Sequence, residues 1–205
     1  LSAAACRYVR SMAFGKEAFT AALISLAVKR RLTIEEEKKK EFILERLPDP
    51  ADGAALSRGE RAVLDKLLPV PGTRIEMDNE NHETFQAARS ALKKALKKEY
   101  LGRMFHLNRV YLLPAVLLSI GAAVGALFLY TSPLVWIAYA VLSLGLHAVF
   151  LYLMRAPTPA GRGVMDEIEG FRMYLGTAEQ DRLDRMRSPE LTPQVFEAFL
   201  PYAYA

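Results

Sequence analysis

The sequence predicts a mainly α-helical membrane protein in which a two-helix transmembrane hairpin separates an α+β module from a helical tail. Three observations carry this expectation. Val110 to Tyr130 and Leu134 to Met154 are apolar runs without a charged residue. Each has the roughly 20 residues that an α-helix needs to cross about 30 Å of hydrocarbon, and a soluble core helix seldom stays uncharged on every face for so long. Only Thr131-Ser132-Pro133 separates the runs, so the second helix must turn straight back along the first. Finally, Lys93, Lys94, Lys97, Lys98, Arg103 and Arg109 precede the first run, Arg155 and Arg162 follow the second, and the link carries no charge. By the positive-inside rule, both flanks lie in the cytoplasm and the link faces outward across the inner (plasma) membrane.

Around the hairpin, residues 1–101 and 155–205 read as ordinary charged sequence. The hydrophobic fraction of 52% is concentrated in the middle of the 205 residues, and the formal charge of +4 is modest. Cys6, the single cysteine, cannot form an internal disulfide, which agrees with a reducing compartment. No signal peptide is visible, and the ends at Leu1-Ser2-Ala3 and Ala203-Tyr204-Ala205 read as cuts through a longer protein.

Lys16 to Leu32 has helical spacing, with Phe19, Leu23, Leu26 and Ala27 on one apolar face and Lys29-Arg30-Arg31 in the last turn, where cations suit the helix dipole. Thr33 to Leu47 supports two readings. Glu35 with Lys39 and Glu36 with Lys40 are good helix pairs, whereas Thr33-Ile34 and Phe42-Ile43-Leu44 flank a charged stretch as in a hairpin with a solvated tip. Pro48 to Gly53 is a break. Ser57 and Glu60 form a capping box for a helix to about Leu68, ended by Pro69 and Pro71-Gly72. Thr73 to Met77 alternates like a short strand, and Asn79 to Asn81 is a turn. Glu83 to Leu101 is a basic amphipathic helix with Phe85, Ala88, Leu92, Ala95 and Leu96 on its apolar stripe, and Gly102 loosens it before the first run. After Arg155, Pro157 and Pro159 stiffen the exit. Val164 to about Arg185 is amphipathic through Val164, Ile168, Phe171, Leu175 and Ala178, Ser188-Pro189 breaks it, and Thr192-Pro193 starts a last short helix.

Three stretches carry a family resemblance: Arg7-Tyr8-Val9-Arg10, Ala18 to Lys29 with Leu32 to Glu36, and, more sharply, Glu169-Gly170-Phe171-Arg172-Met173-Tyr174-Leu175 with Phe199-Leu200-Pro201-Tyr202-Ala203. They resemble the C-terminal portion of the YciQ-like predicted bacterial membrane proteins, a domain-of-unknown-function family, over nearly the whole chain. The resemblance implies a cytoplasmic winged-helix-like module (residues 1–101), a helical hairpin (110–154) and a cytoplasmic tail (155–205), with an extracytoplasmic β-rich region and a further span ahead of them. It tips Thr33 to Leu47 toward a hairpin wing and transfers no catalytic residue.

His147 lies within the second run. An ionisable group there is a functional candidate, but neither run offers it a carboxylate or a second histidine, so a hydrogen bond to Ser119, Ser143 or a carbonyl is the simpler expectation. Gly121 and Gly125 make a small-xxx-small notch, with Gly145 and Ala148 a smaller one. The seam between the two helices of one hairpin is preferred for it over a contact between two chains. Lys93, Lys94, Lys97 and Lys98 are expected to attract anionic lipid head groups. Nucleic acid is not the expected partner: Lys29-Arg30-Arg31 is the only concentrated basic patch of the module, and the helix that would read bases offers mainly Ala, Leu and Ser. No Gly-rich phosphate loop, GxSxG elbow or HExxH occurs, and no cofactor or metal is expected. The leading expectation is a non-enzymatic, membrane-anchored scaffold or signalling component with a protein partner or self-association. The alternatives are a component of a membrane enzyme or transporter whose active part lies elsewhere, and a membrane-tethered nucleic-acid binder.

Overall fold

The computed structural model describes residues 1–38, 41–50, 53–78, 80–129, 132–184 and 193–205. Helix α1 (Ala3–Ser11) opens the fold. The Ser2 hydroxyl accepts the Ala5 N–H at 3.3 Å, and Met12 ends the helix in the left-handed region. This helix lies before the first element expected from the sequence, and Ala4, Ala5, Tyr8 and Val9 bury its inner face.

Helix α2 (Lys16–Val28) stops four residues short of the expected end. Arg30 takes a positive φ, and its N–H and that of Arg31 turn back onto the carbonyls of Ala27 and Leu26, which closes the helix at Val28. Lys29-Arg30-Arg31 therefore lies beyond the last turn. Nor is α2 amphipathic: Ala18, Ala21, Ala22, Leu23, Ser25 and Leu26 are all buried, because α1, α3 and α8 close around it.

Strands β1 (Leu32–Lys38) and β2 (Glu41–Arg46) form an antiparallel hairpin, with Ile34 opposite Leu44. The helical alternative for this stretch, with its Glu–Lys pairs, is thereby excluded. Helix α3 (Arg58–Leu67) starts with the expected capping box. Strand β3 (Arg74–Glu76) adds to β2 in the order β1-β2-β3. Of the expected turn at Asn79 to Asn81, Asn79 lies outside the described residues.

Helix α4 (His82–Tyr100) buries Ala88, Leu92, Leu96 and Tyr100 and packs chiefly on α3. Gly59 makes this approach possible, because a Cβ there would meet the Leu92 side chain. Gly102 does not loosen the helix. At φ +87° it forms a tight turn in which its N–H bonds to the Phe105 carbonyl at 2.9 Å. Strand β4 (Phe105–His106) follows, then a 3-10 turn (Arg109–Leu112) that runs into α5 (Leu113–Leu127). Helix α6 (Pro133–Leu153) returns to strand β5 (Ala156–Pro157), the antiparallel partner of β4.

Helix α7 (Pro159–Asp184) and helix α8 (Pro193–Ala203) complete the chain. Val164, Met165 and Ile168 of α7 pack on the module core, Phe171 meets Phe199 and Tyr202 edge-on, and α8 covers α2. The expected break at Ser188-Pro189, the cap at Thr192, and the side chains of Leu175 and Ala178 lie outside what is described.

Candidate membrane-anchoring site

Arg109–Leu127 and Pro133–Leu153, of 19 and 21 residues, are long and apolar enough to cross a membrane. Only 6% of the most apolar stretch of the first is buried, and none of the second. Core helices of a soluble protein would be covered, but here Leu118, Phe128, Leu134 and Leu144 stand three-quarters or more exposed. The first helix begins with a 3-10 turn and ends at Leu127, short of the expected Tyr130, which lies outside the described residues.

The two helices face each other through a polar seam. Half-buried positions recur at helical spacing: Val116, Ser119, Ala123 and Ala126 on α5, Trp136, Tyr139, Ser143 and His147 on α6. The Tyr139 hydroxyl donates to the Ser119 carbonyl at 2.5 Å and crosses the seam. His147 Nδ1 lies 2.6 Å from the Ser143 carbonyl, so that nitrogen carries the proton and donates, leaving Nε2 a buried acceptor without a protein partner. The histidine thus makes the carbonyl bond expected of it.

Gly121 and Gly125 do not lie in this seam. A Cβ added at either would meet nothing within 4 Å, and Gly145 is equally open. The preferred reading of the notch as the intramolecular seam is therefore corrected. The seam instead uses the face bearing Ser119 and Ala123, where the Tyr139 hydroxyl bonds the Ser119 carbonyl.

Where the helices leave the module, a neck ties them together. Asn108, in the left-handed region, extends its amide to the Met154 carbonyl at 3.0 Å. Thr158 N–H bonds to the Met104 carbonyl at 2.9 Å, and its hydroxyl donates to the Arg103 carbonyl at 2.6 Å while accepting the Gly161 N–H at 3.0 Å. A Cβ at Gly161 would fall on the Met104 carbonyl itself. Sequence reasoning missed this neck. Its one local signal is Thr158 followed three residues later by a glycine, and the partner strand lies some fifty positions away.

The remaining predicted residues are dispersed. Lys93, Lys94, Lys97 and Lys98 all lie exposed on α4. Lys29 Nζ contacts Glu60 Oε2 at 2.7 Å, and Arg31 Nη1 contacts Asp49 Oδ1 at 2.7 Å, so two members of the expected basic patch serve the fold. Cys6 is half-buried, and burial pushes its thiol up, which keeps it protonated. Tyr100 is raised as well, by burial and by the Glu99 carboxylate its hydroxyl bonds. Among the described residues no group of three or more His, Cys, Asp or Glu is placed to hold a metal ion.

An exposed pair of apolar helices joined by a short neck to a packed module is the arrangement expected of a membrane protein. The chain belongs to the DUF2207 family of predicted membrane proteins: the model of that family's C-terminal domain matches residues 1–205. No curated protein and no solved structure matches the chain.

Proposed function

We propose that this chain is a non-enzymatic membrane anchor and scaffold: a cytoplasmic, winged-helix-like module held at the inner leaflet by a hairpin that crosses the bilayer twice. The observation that carries the reading is that the module core is completed by residues on both sides of the hairpin. Val164, Met165 and Ile168 of α7 pack against the same core as Leu26, Leu44 and Leu92. A unit closed this way cannot drift from its membrane attachment as a domain on a single flexible tether would. It suits a component that presents a surface at a fixed height above the lipid. Basic flanks and an uncharged link support the topology with both ends in the cytoplasm.

A protein partner is supported by the outer part of the small sheet. Its inner apolar residues, Leu32 and Leu44, are buried, while Ile34, Phe42 and Met77 are each about 40% exposed. Nucleic acid is disfavoured as partner, because α2 presents only Lys16 and Thr20 fully to solvent and cannot enter a groove. Lys93, Lys94, Lys97 and Lys98 suit attraction to anionic lipid, worth about 1 kcal/mol per basic residue near the surface.

The test is recovery of partners from membranes with the intact protein, in parallel with I34S/F42S. One stoichiometric protein recovered by the wild type and lost by the variant supports the scaffold. Salt-sensitive retention of DNA in its place, or partner recovery that ignores the variant, overturns it.

A further inference from the structure

The neck has a charge pattern that its structural role does not require. No carboxylate occurs between Glu99 and Asp166, yet Arg103, Arg109, Arg155 and Arg162 all fall in that interval with His106. The geometry gathers them. His106 pairs with Ala156 in the β4–β5 ribbon, and the Asn108–Met154 bond sets Arg109 and Arg155 one residue beyond each end of it. Arg162 pairs with Asp166 at 3.3 Å, whereas among the described residues no ion pair uses Arg103, Arg109 or Arg155.

Beside this cluster lies a hollow of about 520 Å³. Its lining is polar at His106, Asn108 and Arg109 and apolar at Leu107, Val110 and Tyr111, and it runs from the neck onto the first turn of the apolar hairpin. Arg155 stacks on the Tyr152 ring at 5.2 Å, and Tyr152 and Tyr111 are both about 70% exposed at the same end of the hairpin. Tyrosines in such a position mark the level of the head groups in proteins that span bilayers. A hollow with Arg109 and His106 at its wet end, Arg155 one residue past the Asn108–Met154 bond beside it, and a greasy end on the hairpin is complementary to an amphiphile carrying a negative head.

We propose that this hollow is a specific site for the phosphate head group of an anionic phospholipid. The Arg109 guanidinium, in the wall of the hollow, engages the phosphate through paired N–H donors, Arg155 swings from the Tyr152 ring outside the wall to join it, and the acyl chains lie along Val110 and the flank of the hairpin. Arginine suits this better than lysine, because its planar fork matches two phosphate oxygens at once. The site is separate from the diffuse attraction of the α4 lysines, and it rests on the proposed insertion of the hairpin.

The intact protein is extracted in mild detergent, and phosphatidylglycerol and phosphatidylcholine retained per chain are counted by native mass spectrometry. Four chains are compared: wild type, R109Q/R155Q, R109K/R155K and K93Q/K94Q/K97Q/K98Q. Insertion of each is scored separately by alkaline extraction of membranes. The wild type is expected to retain phosphatidylglycerol over phosphatidylcholine, and R109Q/R155Q to lose about thirtyfold in that retention, at about 1 kcal/mol for each basic residue removed. The lysine variant should keep it. Should R109Q/R155Q fail to insert, R109K/R155K decides: it preserves the charge and is expected to lose about threefold through the missing fork. Equal retention of the two lipids by an inserted wild type overturns this site alone, as does an unchanged value in an inserted neck variant. A wild type washed out by alkali overturns the embedded hairpin and the site together. Displacement of phosphatidylglycerol by millimolar inorganic phosphate would assign the cluster to a free anion and overturn the lipid.

Discussion

Glu60 is almost fully buried, at 1% exposure, and ties three residues to one carboxylate. Its Oε1 accepts from Ser25 of α2 at 2.6 Å, while Oε2 accepts Lys29 Nζ at 2.7 Å and the Ser57 N–H at 2.7 Å. Burial alone would raise its pKa. The hydrogen bonds from Lys29, Ser25 and Ser57 and the charge of Lys29 outweigh burial and hold the carboxyl below its usual range. Because the folded value is depressed, the stability Glu60 contributes is fully present above its unfolded pKa of about 4.3 and is lost as pH falls through the folded value. Glu60→Gln is expected to destabilise the module by about 2 kcal/mol at neutral pH, the scale of charge-assisted hydrogen bonds. Acid unfolding followed by circular dichroism should then be less steep in the variant than in the wild type; identical curves would refute the assignment. At Gly161 the argument is steric. Gly161→Ala drives a methyl group into the Met104 carbonyl and must separate β4 from β5. A cost of at least about 3 kcal/mol is expected, above ordinary overpacking because the obstacle is backbone. A melting curve unchanged by the substitution would mean that the neck is not closed as described.

Elements whose signals are local were legible in the sequence, and those set by distant partners were not. The apolar runs, the Ser57–Glu60 capping box and the buried stripe of α4 each lie within one short window. Helix α1 is amphipathic, with Ala5, Tyr8 and Val9 at helical spacing on its buried face, but at nine residues it is too short for that period to stand out, and burial against α2 makes it a helix. The end of α2 was misplaced because Arg30 adopts a positive φ, a conformation that its sequence does not advertise. The glycine notch of α5 was assigned to the wrong face because residue type does not tell which side of a helix a partner will take. At this scale the polar seam makes its own claim. Tyr139 supplies the only described side-chain hydrogen bond between α5 and α6, whereas His147 bonds back within its own helix. Tyr139→Phe is therefore expected to loosen the hairpin by about 0.6 kcal/mol, a typical value for such bonds between membrane helices. His147→Phe should leave insertion and partner recovery intact. Thermal denaturation in detergent measures the first and alkaline extraction the second. A larger loss of partner recovery for His147→Phe than for Tyr139→Phe would give the histidine a role beyond packing.

For the whole molecule, the arrangement makes the hairpin an excursion from one folded unit. The chain leaves the module at Asn108 and returns at Met154, and these residues are joined by a hydrogen bond of 3.0 Å. Their separation is that of a tight turn, so the excursion could be closed over by a short loop without moving either end. Below the neck, the module holds buried cores from α1 to α4, and α7 and α8 close over α1 and α2. Of the neck, Met104, Phe105 and Leu107 pack on that core, and no residue of α5 or α6 does. Replacing residues 109–153 with a Gly-Ser linker of about four residues is therefore expected to yield a protein that stays in solution without detergent. It should keep native helical circular dichroism and unfold cooperatively, within about 2 kcal/mol of the module in the full chain, since Leu112 is the one buried apolar side chain removed among the described residues and it lies outside the core cluster. Aggregation, or a molten spectrum without a sharp transition, would show that the hairpin braces the module as well as carrying it. A folded, soluble product would locate the membrane attachment in the excised residues alone and leave Ile34, Phe42 and Met77 open to partner binding away from any bilayer.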